Sequence, residues 1–357
     1  MDFKNIKIGY ISYSPDLQAP GDRRRFVSFA NKQGIDFEIA DINKDYDVVL
    51  VTIHANLSAW IAYRKQRPHV KFIVEMVDSM IFANDLFRDM FKGVGRYMQG
   101  KESALDMNYK TPVFTLLKIA DAVICSSNEV KNIVSQYNKN VFVSLDYFQD
   151  EIVSRKYNYT IGGKIKLAWE GQGIVLENLL YYKDLFEKVS AYCDLHIITD
   201  THYSNFGTLF KKPTTKIIDQ LPIHSVFHKW EKYKNYEMLS QCDIGIIPIN
   251  PNNKMAWHKP ANKLISFWYA GIPTLVSNTP AYVELMKDAD TDLFCGSTED
   301  WRTKIDTLKK MSAMERESLS ETNIAFVQKC YSAEQLNKSW VDIFEFTLKQ
   351  LNQTSNS

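Results

Sequence analysis

The chain lacks the features that would settle its class at a glance. No apolar run among its 357 residues approaches the ~20 that a membrane-spanning helix requires. The formal net charge is +1, so no overall field points to DNA or RNA. Five cysteines (Cys125, Cys193, Cys242, Cys295, Cys330) are odd in number and widely spaced, with neither metal-ligand nor disulfide-framework spacing. Reduced thiols in the cytoplasm are the expectation. The opening MDFKNIKIGYISY has no apolar core of a secretory leader, so none is expected. The 14 glycines never complete a G-x-G-x-x-G after a strand. Neither Gly171-Gln172-Gly173 nor Gly93-Val94-Gly95 supplies the third glycine, and no phosphate loop ends in Gly-Lys-Ser/Thr. Nicotinamide and P-loop ATP chemistry both lose ground.

What is present is a soluble-protein composition, 45% apolar and 24% charged, in a chain long enough for two cores. Strand-like runs at 6–12, 36–40, 48–53, 71–77, 122–125 and 141–145 alternate with helical patterns at 23–33, 58–66 and 128–136. After a polar break at 150–164 the alternation restarts. Strands are predicted at 165–169, 195–199, 225–227, 244–249 and 274–277, and helices at 176–189, 233–241, 262–270 and 282–287. Helical segments at 299–310 and 333–351 close the chain, and 352–357 read as a disordered tail. Strands alternating with helices predict parallel sheets built from βαβ units. The expected domains are 1–155 and 164–330, with 331–351 as a C-terminal helix.

The richest stretch is 243–277, DIGIIPINPNNKMAWHKPANKLISFWYAGIPTLVS. It reads as buried strand, polar loop, helix, Gly-Pro turn and buried strand. In an open α/β sheet, ligands bind where loops leave the carboxyl ends of strands. Here that loop and helix start carry Trp257, His258, Lys259 and Lys263, a set suited to an anionic, ring-bearing ligand. Solvated surface lysines are the plainer alternative.

Asp243–Ile249, Lys259–Pro273, Ala120–Ser127, Trp230 and the C-terminal helix with Trp340 together resemble GT-B glycosyltransferases of family 4. Asp243-Ile244-Gly245-Ile246-Ile247-Pro248-Ile249 looks like the strand before their donor site. Lys259-x-x-x-Lys263-Leu264-x-x-Phe267-x-x-x-Gly271-x-Pro273 resembles their most specific motif. The run Ala120–Ser127 and Trp230 look like two further landmarks, and the C-terminal helix with Trp340 resembles the family's segment that crosses back to the first domain. The resemblance implies two Rossmann-like α/β domains facing across a cleft. It also implies sugar transfer from a nucleoside-diphosphate donor, with retention and without a cofactor or catalytic metal.

Residue by residue, the resemblance makes Lys263 the diphosphate ligand, helped by Lys259, with His258 at the donor sugar. A fixed cation there would stabilise the charge growing on the leaving diphosphate. Where the family has Glu or Gln for the nucleotide ribose, this chain has Ser266. Asn278 and Glu284 match the following donor-binding segment, although the family's glycines are replaced. Gly171 and Gly173 would let backbone approach the donor. No cation lies between Lys166 and Lys183, so diphosphate neutralisation falls to Lys263, Lys259 and backbone dipoles.

On the first domain, Gly21, Asp22 and Arg23 resemble a loop bordering the acceptor, and Asp78 at the end of the fourth strand is expected near the acceptor hydroxyl. The segment 82–101 reads either as packing over the core or as an amphipathic surface for a lipid-linked acceptor or a peripheral membrane contact. The expected partners are a nucleotide-sugar donor and a glycan or lipid-linked acceptor of surface polysaccharide such as lipopolysaccharide. Two other classes stay open: a non-catalytic nucleotide- or glycan-binding protein of the same fold, and a sugar-nucleotide epimerase.

Overall fold

The computed structural model describes residues 3–77, 95, 97, 110–204 and 211–354, side chains beyond 349 excepted. The chain forms two compact units, Met1–Tyr147 with Ala333–Ser357, and Phe148–Ser332.

The first unit holds six parallel strands: β1 (Ile8–Tyr10), β2 (Glu38–Ile39), β3 (Val48–Thr52), β4 (Lys71–Met76), β5 (Ala122–Cys125) and β6 (Val141–Val143). Their order is β2-β1-β3-β4-β5-β6. Both faces are covered, which is why β3 and β4 are buried along their whole length and read as near-continuous apolar runs. One face packs Val49, Val51, Phe72 and Val74 with the helices Leu57–Gln66, Lys110–Ile119 and Asn128–Val134. On the other, Ile8, Tyr10, Val48 and Leu50 meet the helix Phe26–Gln33 and the C-terminal helix Ala333–Thr354. Trp340 stacks on Phe29 with ring centroids 5.5 Å apart and 18° between planes. It is fully buried, and burial of such a side chain stabilises by roughly 2–3 kcal/mol.

The second unit repeats the plan with β7 (Ile165–Glu170), β8 (Cys193–Thr199), β11 (Ser225–Lys229), β12 (Ile244–Ile247), β13 (Thr274–Ser277) and β14 (Phe294–Cys295). These six are parallel, in the order β11-β8-β7-β12-β13-β14. A separate antiparallel hairpin pairs β9 (His202–Ser204) with β10 (Lys211–Pro213). The order in which strands are added reverses at β7, with β8 and β11 on one side and β12 to β14 on the other. The carboxyl ends of β7 and β12 therefore flank a topological switch point, the place where open α/β sheets bind ligands.

Several sequence expectations need correcting. The helix expected at 23–33 breaks into Pro20–Arg23 and Phe26–Gln33, because Arg25 leaves helical geometry to turn inward. The helix expected at 176–189 is a 3-10 stretch Gly173–Tyr182 followed by an α-helix Lys183–Val189. The helices Lys110–Ile119 and Ala313–Cys330, the β9–β10 hairpin and β14 were not expected. No helix among the described residues is long and apolar enough to cross a membrane.

Candidate functional site

Lys263 is delivered to the switch point by the packing of its own helix. In Asn262–Tyr269 the apolar positions Leu264, Phe267 and Trp268 recur at helical spacing and are all buried. Phe267 lies directly on β12 because Gly245 has no side chain; a Cβ there would come within 2.5 Å of the Phe267 ring. Ala261 at the helix entry gives no side-chain cap, so among the described residues the first-turn amides beside the lysine are left without one. Gly271, at φ 75°, ends the element in a backbone conformation that glycine adopts without strain.

The end of β7 meets this helix. Glu170 accepts a hydrogen bond from Lys263 Nζ on its main-chain oxygen, and its carboxylate Oε2 stands 3.2 Å from the same ammonium. Trp230 Nε1 donates to Glu170 Oε1 at 3.0 Å. The Trp169 ring lies 5.5 Å from Nζ, within cation–π range. Gly171 completes the contact, since a Cβ at that position would come within 3.0 Å of Lys263 Nζ and 2.9 Å of the Trp169 ring. Two expected residues, Lys263 and Gly171, are thus adjacent. Glu170 and Trp169, beside them, were not expected as site residues; the carboxylate stood in the sequence immediately before Gly171.

Gly173 is held differently. Its amide donates to Asp200 Oδ2 at 3.0 Å, and Thr214 and Tyr203 close over its Cα. Ser266 is buried, and its hydroxyl donates to Lys263 O one turn back at 2.8 Å, so it serves its own helix. His258 follows the short helix Lys254–Trp257 and is half-buried, while Lys259 is exposed. Asn278 is exposed at the end of β13, and Glu284 is exposed on helix Pro280–Asp288. The loop after β12 is fastened by Ser277 Oγ, which accepts from Ile249 N at 2.7 Å and lies 2.9 Å from Tyr182 Oη. Burial pushes the Tyr182 hydroxyl up to about 12, so it stays protonated and donates to Ile249 O.

The first unit carries its own polar cluster at the carboxyl ends of β1 and β4. Asp22 is fully buried and accepts from Tyr10 Oη, Tyr13 N, Ser14 N and Ser14 Oγ at 2.7–2.9 Å. Its carboxylate therefore organises the loop that was expected to border an acceptor. Gly21 packs under Tyr13, whose ring a Cβ would approach to 2.6 Å. Arg23 closes the short helix Pro20–Arg23 and is partly exposed. Arg25, the last of the triplet, is buried and donates to Glu75 Oε1 at 2.7 Å, Ser144 O at 2.9 Å and Asp146 Oδ1 at 3.1 Å. Burial drives the Glu75 carboxyl upward against the pull of Arg25. Asp78 and most of 82–101 lie outside the described residues.

No protein-family model matches the chain, and no curated protein matches its sequence. Solved structures do. HepE from Anabaena, crystallised with UDP, superposes with a TM-score of 0.62 at 10% identity, over 95% of this chain and 100% of that one. An O-GlcNAc transferase from Thermobaculum terrenum gives 0.57 at 10% identity, over 99% and 69%. TarM from S. aureus, crystallised with fondaparinux, α-GlcNAc-glycerol and UDP, gives 0.54 at 9% identity, over 83% and 55%. The chain has the GT-B fold. Its second sheet follows the 3-2-1-4-5-6 order of dinucleotide-binding domains, and Lys263 stands at the switch point of that half. HepE is matched over its full length, whereas the chain spans about half the length of the TarM structures.

Proposed function

We propose that the protein is a glycosyltransferase whose second unit binds a nucleoside-diphosphate sugar. The observation that carries this reading is the Lys263 ammonium held against Gly171 at the switch point of a GT-B half, beside the uncapped start of its helix. A lysine has three N–H donors. The main-chain oxygen of Glu170 engages one of them and its carboxylate is an ion partner at 3.2 Å, leaving N–H donors for a phosphate oxygen of the ligand. As the sugar–oxygen bond breaks, negative charge grows on the leaving diphosphate. A fixed ammonium and oriented amides then stabilise the transition state more than the ground state.

UDP is the first nucleotide to try, since HepE and TarM were both crystallised with it. His258 at the donor sugar, and Lys259, Asn278 and Glu284 around the donor, remain part of the proposal. So do Gly21, Asp22, Arg23 and Asp78 on the acceptor side, Asp22 as the organiser of its loop, and a glycan or lipid-linked acceptor in surface polysaccharide synthesis. Retention of configuration and independence from metal belong to the same reading. The product anomer and the rate in EDTA test them.

One observation favours a second reading, a nucleotide- or glycan-binding protein without turnover: Ser266 is turned into its own helix where the resembled family carries Glu or Gln for the nucleotide ribose. A thermal-shift panel of UDP, GDP, CMP, ADP, dTDP and their common sugars separates the cases, because a ligand of the native state raises its melting temperature. A shift that vanishes in Lys263→Ala, with sugar transferred when acceptor is added, supports the transferase. A shift without transfer supports the binder, and epimerised nucleotide without acceptor would mean an epimerase. Binding and turnover unaltered in Lys263→Ala would remove the donor site from this position.

A further inference from the structure

Lys263 has a built-in counter-anion. Glu170 Oε2 is 3.2 Å from its ammonium, and Trp230 Nε1 fixes the other carboxylate oxygen at 3.0 Å. The two side chains are 20% and 27% exposed, so the pair is anchored yet open to a ligand. A diphosphate seated on Lys263 would lie within a few ångströms of this carboxylate.

The charges of donor and product differ. A nucleotide sugar carries two negative charges, because the sugar ester caps the terminal phosphate. The free nucleoside diphosphate carries a third, ionising with a pKa of about 6, as phosphate monoesters do. A fixed carboxylate opposes each added negative charge, so it acts harder on product than on donor. Resting on the donor-site reading above, we propose that Glu170 is a specificity-determining residue that separates product from donor. It weakens the free diphosphate selectively and so promotes its release after transfer. One unit charge roughly 5 Å away, screened by an effective dielectric of about 50 between the near-surface and bulk-water values, corresponds to about a tenfold change in affinity.

The test is calorimetric titration of the full chain with UDP and with UDP-glucose at pH 7.5 and 5.5. In Glu170→Gln, UDP affinity should rise about tenfold more than UDP-glucose affinity at pH 7.5. That difference should shrink by most of its size at pH 5.5, where the terminal phosphate of UDP is mostly protonated. Glu170→Asp, which keeps the charge, should keep the wild-type ratio, and Glu170→Ser serves the same comparison should the glutamine variant not fold. A purely structural role would weaken both ligands together at either pH. Equal shifts for the two ligands, or a difference that persists undiminished at pH 5.5, overturns the proposal while leaving the donor site standing. Failure of wild type to bind either ligand overturns the donor-site reading and this inference with it.

Discussion

Arg25 and Glu75, fifty residues apart, form an ion pair at 2.7 Å with side chains 1% and 0% exposed. The contact joins the start of helix Phe26–Gln33 to β4, and so ties the first βα turn to the centre of the first sheet. Arg25 Nη2 and Glu75 Oε2 have no hydrogen-bond partner among the described residues. The pair therefore fixes geometry more than it stabilises, since desolvation offsets much of its attraction.

Removing one partner is expected to be costly. Glu75→Ala should lower unfolding stability by about 3 kcal/mol, because Arg25 would keep only Asp146 and Ser144 O in a buried setting. The double variant Arg25→Met/Glu75→Leu should recover most of that loss. Urea unfolding followed by tryptophan fluorescence measures both, and a single variant within 0.5 kcal/mol of wild type would refute the reading. The exposed pair Lys44–Glu38, at 2.7 Å, serves as control, since solvent screens such pairs and they contribute little.

Helix Ala313–Cys330 shows why part of the fold escaped the sequence. Its buried positions are Arg316, Ser320, Asn323 and Val327, a helical stripe made almost wholly of polar residues, so hydrophobic periodicity is silent there. Its start was readable all the same, as Ser312 and Glu315 form a capping box. Apart from β14, the strands of both six-stranded sheets were legible because apolar runs mark them, and Lys263 and Gly171 were singled out through motif and turn. Glu170 was not, because its importance comes from a register that sets β7 beside β12 and from a helix folded back onto both. The burial of Asp22 and Arg25 was hidden too: an Arg triplet after a loop reads as solvated until three acceptors are placed around one member.

Arg316 should be a large contributor to the second unit. Its guanidinium donates to Tyr159 O at 2.7 and 3.0 Å, to Leu308 O at 2.9 Å and to Met311 O. Arg316→Ala would remove the donor these carbonyls share, and each buried acceptor left unsatisfied costs about 1–3 kcal/mol. A fall in stability of at least 3 kcal/mol is expected by urea denaturation. Arg316→Lys should recover only part, since an ammonium lacks the planar fork. A loss below 1 kcal/mol for the alanine variant would show that the helix end is held by other means.

The pair His196–His228 gives stability a pH dependence. Their rings, on β8 and β11, stack at 14° with Nδ1 and Nε2 2.9 Å apart. Burial, and then the charge of His228, push His196 down to about 4, and burial lowers His228 as well. The unfolded chain, with histidines near their ordinary value of about 6.5, binds more protons across that interval. The contribution is therefore complete above about pH 6.5 and is lost as pH falls towards 4. Urea midpoints between pH 7.5 and 4.5 should fall less steeply in His196→Gln/His228→Gln than in wild type. Identical slopes would sink the assignment.

Gly171 offers the sharpest test of how closely the site is built. A methyl group there would lie 2.9 Å from the Trp169 ring and 3.0 Å from Lys263 Nζ. Trp169 is buried within β7 and has little room to yield, whereas the lysine side chain is 27% exposed and its tip can be displaced. Gly171→Ala should therefore cost only about 1–2 kcal/mol of stability, within the usual range for overpacking. It should push the ammonium off its two Glu170 oxygens. Nucleotide affinity is expected to fall about tenfold, the effect of one lost charge-assisted hydrogen bond. The decisive comparison is the double-mutant cycle, because residues acting through one contact are not additive. In a Lys263→Ala background the glycine substitution should have no further effect on affinity, as the atom it displaces is gone. If Gly171→Ala weakens nucleotide by the same factor with and without Lys263, the turn acts on the ligand directly, and the lysine's placement does not depend on it.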